Sequence, residues 1–104
     1  MDNILKSLGL AYKGKRIIIG DEIIPLLKKH QVKLIMLASD ASENTKKRYK
    51  DKSLFYKTEL IECFSKIEFG SALGKHYVAV IGILDSKMRD KILNTIESRW
   101  FYVI

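Results

Sequence analysis

The chain switches repeatedly between two hydrophobic periods. In residues 2–11 the apolar positions Ile4, Leu5, Leu8 and Ala11 recur at the three-and-four spacing of a buried helical face, and Gly14 closes the segment. Residues 16–19 form a short β-branched strand ended by Gly20. Residues 21–30 return to helical spacing at Ile23, Ile24, Leu26 and Leu27, with Lys28 and Lys29 where cations suit a helix C-terminus. Residues 34–38 are apolar without interruption, the pattern of a central strand buried on both faces.

The longest predicted helix covers residues 40–56. Asp40-x-x-Glu43 has the form of a capping box, with Ser42 as an alternative cap. A short strand follows at residues 59–63, then a helix at 66–73 stopped by Gly74, a buried strand at 77–84 and an amphipathic helix at 87–100 carrying Met88, Ile92, Leu93 and Ile96. The order αβαβαβαβα predicts an α/β fold, a three-layer αβα sandwich around a four-stranded mixed sheet. The apolar tail, residues 101–104, has no assigned element and is expected to pack on the domain.

Composition narrows the reading. A chain of 104 residues, 47% hydrophobic and 30% charged, is expected to form one domain, spanning residues 1–104. No apolar run is long enough to cross a bilayer, and Lys6 interrupts the only apolar stretch near the N-terminus, so neither a membrane span nor a signal peptide is expected. Lone Cys63 excludes an internal disulfide and reads as a small buried hydrophobe. The expected location is cytoplasmic. The net charge of +7 favours a polyanion. Six basic residues and only Asp51 as an acid lie in residues 46–57, with further basic groups at Lys13, Lys15 and Arg16 and at Lys28, Lys29 and Lys33.

Catalytic chemistry finds little support. Ser39, Asp40, Ser42 and Thr45 have no histidine nearby in sequence, and no Gly-x-Ser-x-Gly elbow occurs. The two histidines and one cysteine lack metal-ligand spacing, and no glycine-rich phosphate fingerprint is present. No enzyme activity, cofactor or small-molecule substrate is expected. Binding fits better. Gly20-Asp21-Glu22 and Asp40-Ala41-Ser42 each open a helix directly after a strand, where free amides attract phosphate. Gly74-Lys75-His76-Tyr77 adds a cation and a ring able to stack on an unpaired base. The same three segments also read as ordinary caps and turns.

Three segments carry a resemblance: KLIMLASDASENTKK (residues 33–47), DKSLFY (51–56) and FGSALGK (69–75). Together, at these separations, the chain resembles the L-seven-Ae ribosomal protein family over nearly its whole length, most closely its small bacterial YlxQ-type members, which recognise kink-turns in RNA. The resemblance implies an αβα sandwich and places RNA contacts on specific residues. Asp21 and Glu22, which fall on the asparagine and glutamate of the family's Gly-x-Asn-Glu-x-x-Lys motif, would meet the edges of sheared G·A pairs, with Gly20 beside them. Asp40, Ala41 and Ser42 would brace that helix start. Lys75, His76 and Tyr77 would form the loop over flipped nucleotides. Charge and position add Lys28, Lys33 and Lys46 as phosphate contacts.

Departures from the motif qualify this. Ile19 falls on the motif's glycine, with Gly20 displaced by one. Asp21 replaces a side chain that donates and accepts by an acceptor-only carboxylate. Pro25 falls on the motif's lysine, removing a cation and predicting a late or irregular helix start. The expected function is non-catalytic, monomeric and ribosome-associated binding to kink-turn or similarly structured RNA. The alternative is a protein-interaction or general ribosome-associated module that has lost kink-turn specificity.

Overall fold

A computed structural model describes residues 2–95 and 101–103. Its elements run α1 (Asp2–Lys13), β1 (Ile17–Ile19), a 3-10 turn (Gly20–Glu22), α2 (Ile23–Lys28), β2 (Leu34–Leu37), α3 (Glu43–Tyr56), β3 (Glu59–Glu62), α4 (Lys66–Leu73), β4 (Val80–Ile83), α5 (Ser86–Thr95) and β5 (Phe101–Val103). The expected four-stranded mixed sheet is present in the order β1-β4-β2-β3, and β5 extends it beyond β3. Strand β2 runs parallel to β3 and antiparallel to β4, which also pairs antiparallel with β1. Strands β2 and β4 are central, and all eight of their residues are buried, as their uninterrupted apolar runs require.

Helix α1 packs on α4 and flanks α5, while α2 packs on α3, which lies over β2 and β3. The core between these layers contains Leu8, Ile23, Leu27, Met36, Leu60, Phe69 and Ile81, all fully buried. Each such side chain contributes on the order of 1.5–3 kcal/mol relative to exposure. Two glycines set the spacing of the α1 and α4 layer. A Cβ on Gly9 would stand 2.8 Å from the Ala72 carbonyl oxygen, so Gly9 lets α1 and α4 cross closely. A Cβ on Gly70 would stand 2.6 Å from Tyr77 Cα and 2.7 Å from the His76 oxygen, so Gly70 lets the loop before β4 lie directly on α4.

The structure corrects three local readings. Helix α3 starts at Glu43, not at residue 40: Ser42 is its cap, accepting from the Thr45 amide at 3.2 Å, while Asp40 turns to another helix. The capping box belongs to α4, where Ser65 accepts from the Glu68 amide and the Glu68 carboxylate accepts from the Ser65 amide at 2.8 Å. Strand β4 begins only at Val80, because the chain before it runs back along α4, where the Val78 amide donates to the Lys66 carbonyl at 3.0 Å. The expected late start of α2 is seen, since a 3-10 turn precedes Ile23 and Pro25 has no amide hydrogen to extend an α-pattern back to Asp21. The last part of the predicted helix 87–100 and the side chains of the apolar tail lie outside the described residues.

Candidate nucleic-acid interface

The strand register brings four chain segments to one edge of the sheet. Leu37 pairs with both Glu62 and Val80, and Ile19 with Ile81, so the C-terminal ends of β1, β2 and β3 meet the start of β4. The turns that leave these ends are Gly20–Glu22 into α2, residues 38–42 into α3, and residues 63–65 into α4. They are stitched together: the Ala38 amide donates to the Ala79 carbonyl, and both the Ser39 amide and hydroxyl donate to the Phe64 carbonyl, each at 2.8 Å.

Gly20 adopts the left-handed conformation (φ 64°), in which glycine carries no Cβ penalty. Its carbonyl accepts from the Ile23 amide and from the Tyr49 hydroxyl of α3, the latter at 3.2 Å. Tyr49 is buried; burial raises its phenol above the ordinary value, Asp21 adds to that and Arg48 opposes it. The hydroxyl therefore stays a donor across the physiological range. Asp21 and Glu22 project from this braced turn into solvent. The Asp21 side chain is 95% exposed, with an Arg48 guanidinium nitrogen 3.7 Å away, an exposed pair worth little in stability.

Asp40, Ala41 and Ser42 do lie at this edge, and the side-chain hydrogen bonds of Asp40 and Ser42 go to α4 and α3. The Asp40 carboxylate accepts from the Lys66 amide at 2.8 Å, tying the end of β2 to the first turn of α4. Ala41 is buried and Ser42 caps α3. Tyr49 and Arg48, absent from the expected site, support Gly20 and Asp21 instead. The signal available in the sequence was Tyr49 itself, an aromatic residue inside a lysine-rich helix.

The lysines divide. Lys46 sits beside Glu62 at 3.3 Å, and Lys50 beside the same carboxylate at 2.8 Å. Burial raises the Glu62 carboxyl, but hydrogen bonds and charge from Lys50 and Lys46 outweigh it and hold the carboxyl below its usual range. The Lys46 charge is thus largely answered within the fold. Lys28 and Lys33 lie at the opposite end of the strands: Lys28 ends α2, and the Lys33 amide donates to Ile83 at the far end of β4. In the loop before β4, Tyr77 stands exposed near the edge with the Lys66 ammonium 5.6 Å from its ring centre. His76 is exposed, while Lys75 reaches toward α1, its ammonium 5.9 Å from the Tyr12 ring centre.

The edge offers binding groups more than reactive ones. Asp40, Ser39 and Ser42 are each engaged in backbone hydrogen bonds. Cys63, just past β3, is buried, and burial, with Glu68 and Glu62 adding, pushes its thiol up to about 12, so it behaves as the small buried hydrophobe expected of it. Among the described residues no three His, Cys, Asp or Glu side chains form a group that could hold a metal ion, and no helix is long and apolar enough to cross a membrane.

An αβα sandwich with helix starts gathered at one strand-end edge is the architecture of a known family. Residues 2–93 match the ribosomal protein L7Ae/L30e/S12e/Gadd45 family, and the chain belongs to it. Among its relatives, RNA-binding protein YlxQ of Enterococcus faecium is 38% identical over 94 residues, covering 89% of this chain and 90% of that one. RNA-binding protein YlxQ of Bacillus subtilis (strain 168) is 29% identical over 91 residues, covering 86% and 91%. A solved structure of a protein of unknown function from Bacillus halodurans superposes with a TM-score of 0.81 at 33% identity, covering 88% of this chain and 93% of that one.

Proposed function

We propose that residues 1–104 act as one monomeric, cytoplasmic, non-catalytic RNA-binding domain, associated with the ribosome, whose Gly20–Glu22 edge recognises kink-turn or similarly structured RNA. One observation carries the reading: a chain 38% identical to a protein named as RNA-binding presents two exposed acceptors, Asp21 and Glu22, on a turn braced from behind by Tyr49. Acceptors so held suit the imino and amino hydrogens on guanine edges in sheared G·A pairs, with Glu22 as the principal contact. Tyr77, exposed beside the same edge, suits stacking on an unpaired base.

A second reading, RNA binding without kink-turn specificity, is favoured by Pro25, exposed in α2 where the resemblance puts a lysine. A gel-shift titration separates the two. Binding to a kink-turn RNA at least ten-fold tighter than to the same RNA with its G·A pairs replaced supports specific recognition, and Glu22→Ala is expected to abolish that ratio. Equal affinity for both RNAs overturns it.

A further inference from the structure

Charge is divided unequally between the two ends of the strands. Around the Gly20 edge, the acids Asp21, Glu22, Asp40, Glu43 and Glu62 are balanced by Lys46, Arg48, Lys50, Lys66 and Lys75. The opposite end is not balanced. There Leu34 pairs with both Ile83 and Glu59, and the Leu84 amide donates to the Arg16 carbonyl at 2.9 Å, so four turns meet. These turns, residues 13–16, 28–33, 57–59 and 84–89, hold nine basic residues against Glu59 and Asp85, a surplus of seven that equals the net charge of the whole chain, +7.

Helix dipoles explain only part of this. Lys13, Lys28 and Lys57 lie at or just past helix C-termini, where cations are favoured. Lys33 precedes a strand, and Lys87 and Arg89 occupy the first turn of α5, where the dipole opposes them. Arg16 pairs with Asp85 and Arg89 with Asp90, but among the described residues Lys28, Lys33 and Lys57 have no acidic partner. Like charges on neighbouring turns repel one another, most strongly within a screening length of ~8 Å, and an anion bound among them relieves that repulsion.

The same end is concave and aromatic. Lys33, Lys57, Arg89, His30 and Tyr56, together with the acid Glu59, line a cleft of about 200 Å³. The Tyr56 ring meets His30 edge-on at 6.4 Å and Phe55 edge-on at 4.8 Å, and Phe55 is 75% exposed. Cations without an acidic partner beside an exposed ring are what a single strand of nucleic acid requires, phosphates on the cations and bases on the ring.

We propose that this end is a second RNA-binding surface, which holds an unpaired RNA stretch by its phosphates on Lys28, Lys33 and Lys57 and by base stacking on Phe55, so that the protein touches RNA at both ends of its strands. The inference rests on RNA being the partner and is independent of kink-turn recognition.

The test is fluorescence anisotropy with a labelled twelve-nucleotide uridine strand. Lys28→Gln/Lys33→Gln/Lys57→Gln is expected to weaken binding more than ten-fold and to lower the salt slope by about two, three contacts at ~0.7 each for a single strand. Phe55→Ala is expected to weaken it about ten-fold at unchanged slope. Lys6→Gln/Lys47→Gln/Lys91→Gln, an equal loss of charge at exposed positions elsewhere, is expected to change affinity less than three-fold. On a blunt kink-turn RNA without a single-stranded extension the basic-end variant is expected to bind as the wild type does, while Glu22→Ala reports only on the Gly20 edge and leaves uridine-strand binding unchanged. In the wild type, the uridine strand should also protect Lys28, Lys33 and Lys57 from amine labelling. Equal loss in the two triple variants, no uridine binding by the wild type, or binding of phosphatidylserine vesicles by this end in place of the uridine strand overturns the proposal.

Discussion

The Tyr49 hydroxyl donates to the Gly20 carbonyl at 3.2 Å, joining the middle of α3 to the left-handed turn that presents Asp21 and Glu22. Tyr49→Phe deletes that bond and keeps the packed ring. The Gly20 carbonyl retains the Ile23 amide, so the expected loss of stability is modest, about 1 kcal/mol by urea titration. If the turn works as a fixed recognition element, the same variant lowers affinity for kink-turn RNA several-fold while leaving uridine-strand binding unchanged. Unchanged kink-turn affinity would show that the turn needs no brace.

Pro25 is exposed at the third position of α2, so replacing it disturbs no core packing. Pro25→Lys restores an amide hydrogen and adds a cation near the recognition turn. On the kink-turn reading, affinity rises and the salt slope steepens by about one unit, the release of one further counterion. A slope indistinguishable from wild type over a salt titration would place position 25 away from the phosphates.

Gly70 governs the loop that carries His76 and Tyr77. A methyl group there would collide with Tyr77 Cα and the His76 carbonyl, both backbone atoms that cannot rotate aside. Gly70→Ala is expected to destabilise the fold by about 1–3 kcal/mol and to shift the loop. Gly74→Ala, at φ 75° with open space around it, costs only conformational strain, about 1 kcal/mol, and leaves the loop on α4. Denaturation midpoints and the amide chemical shifts of residues 75–78 check both.

The hydrophobic pattern made the layers legible because helix and strand periods differ and the central strands are apolar on both faces. Helix α4 matched its predicted bounds, residues 66–73, since Gly74 ends it in the left-handed conformation. What sequence spacing does not carry is the order of strands across the sheet. Lys28 and Lys33 stand near Asp21 and Asp40 in the chain, yet β1 and β2 run the same way, so the lysines that precede β2 fall at the far end from the turns that follow each strand. The Asp40 reading failed differently. Its spacing to Glu43 fits a cap, but so does Ser65 to Glu68, and only the fold shows that Asp40 reaches across to Lys66.

Glu62 supplies a pH-dependent test of the lysine row. Its side chain is 12% exposed, and contacts with Lys50 at 2.8 Å and Lys46 at 3.3 Å hold its folded carboxyl below the ordinary 4.5, outweighing the opposing effect of burial. The unfolded chain then binds a proton at a higher pH than the folded one, so the stability that Glu62 contributes is fully present above about pH 4.5 and disappears as pH falls through its lowered folded value. Glu62→Gln removes the charge and leaves two part-buried lysines without their shared partner. The difference in urea midpoint between wild type and variant should be largest near neutrality and shrink on acidification. Release of Lys46 from Glu62 should also raise non-specific RNA affinity in the variant, since that ammonium loses its carboxylate partner. A midpoint difference constant from neutrality down to pH 3, with unchanged RNA affinity, would mean that Glu62 neither stabilises the fold as an anion nor restrains these cations.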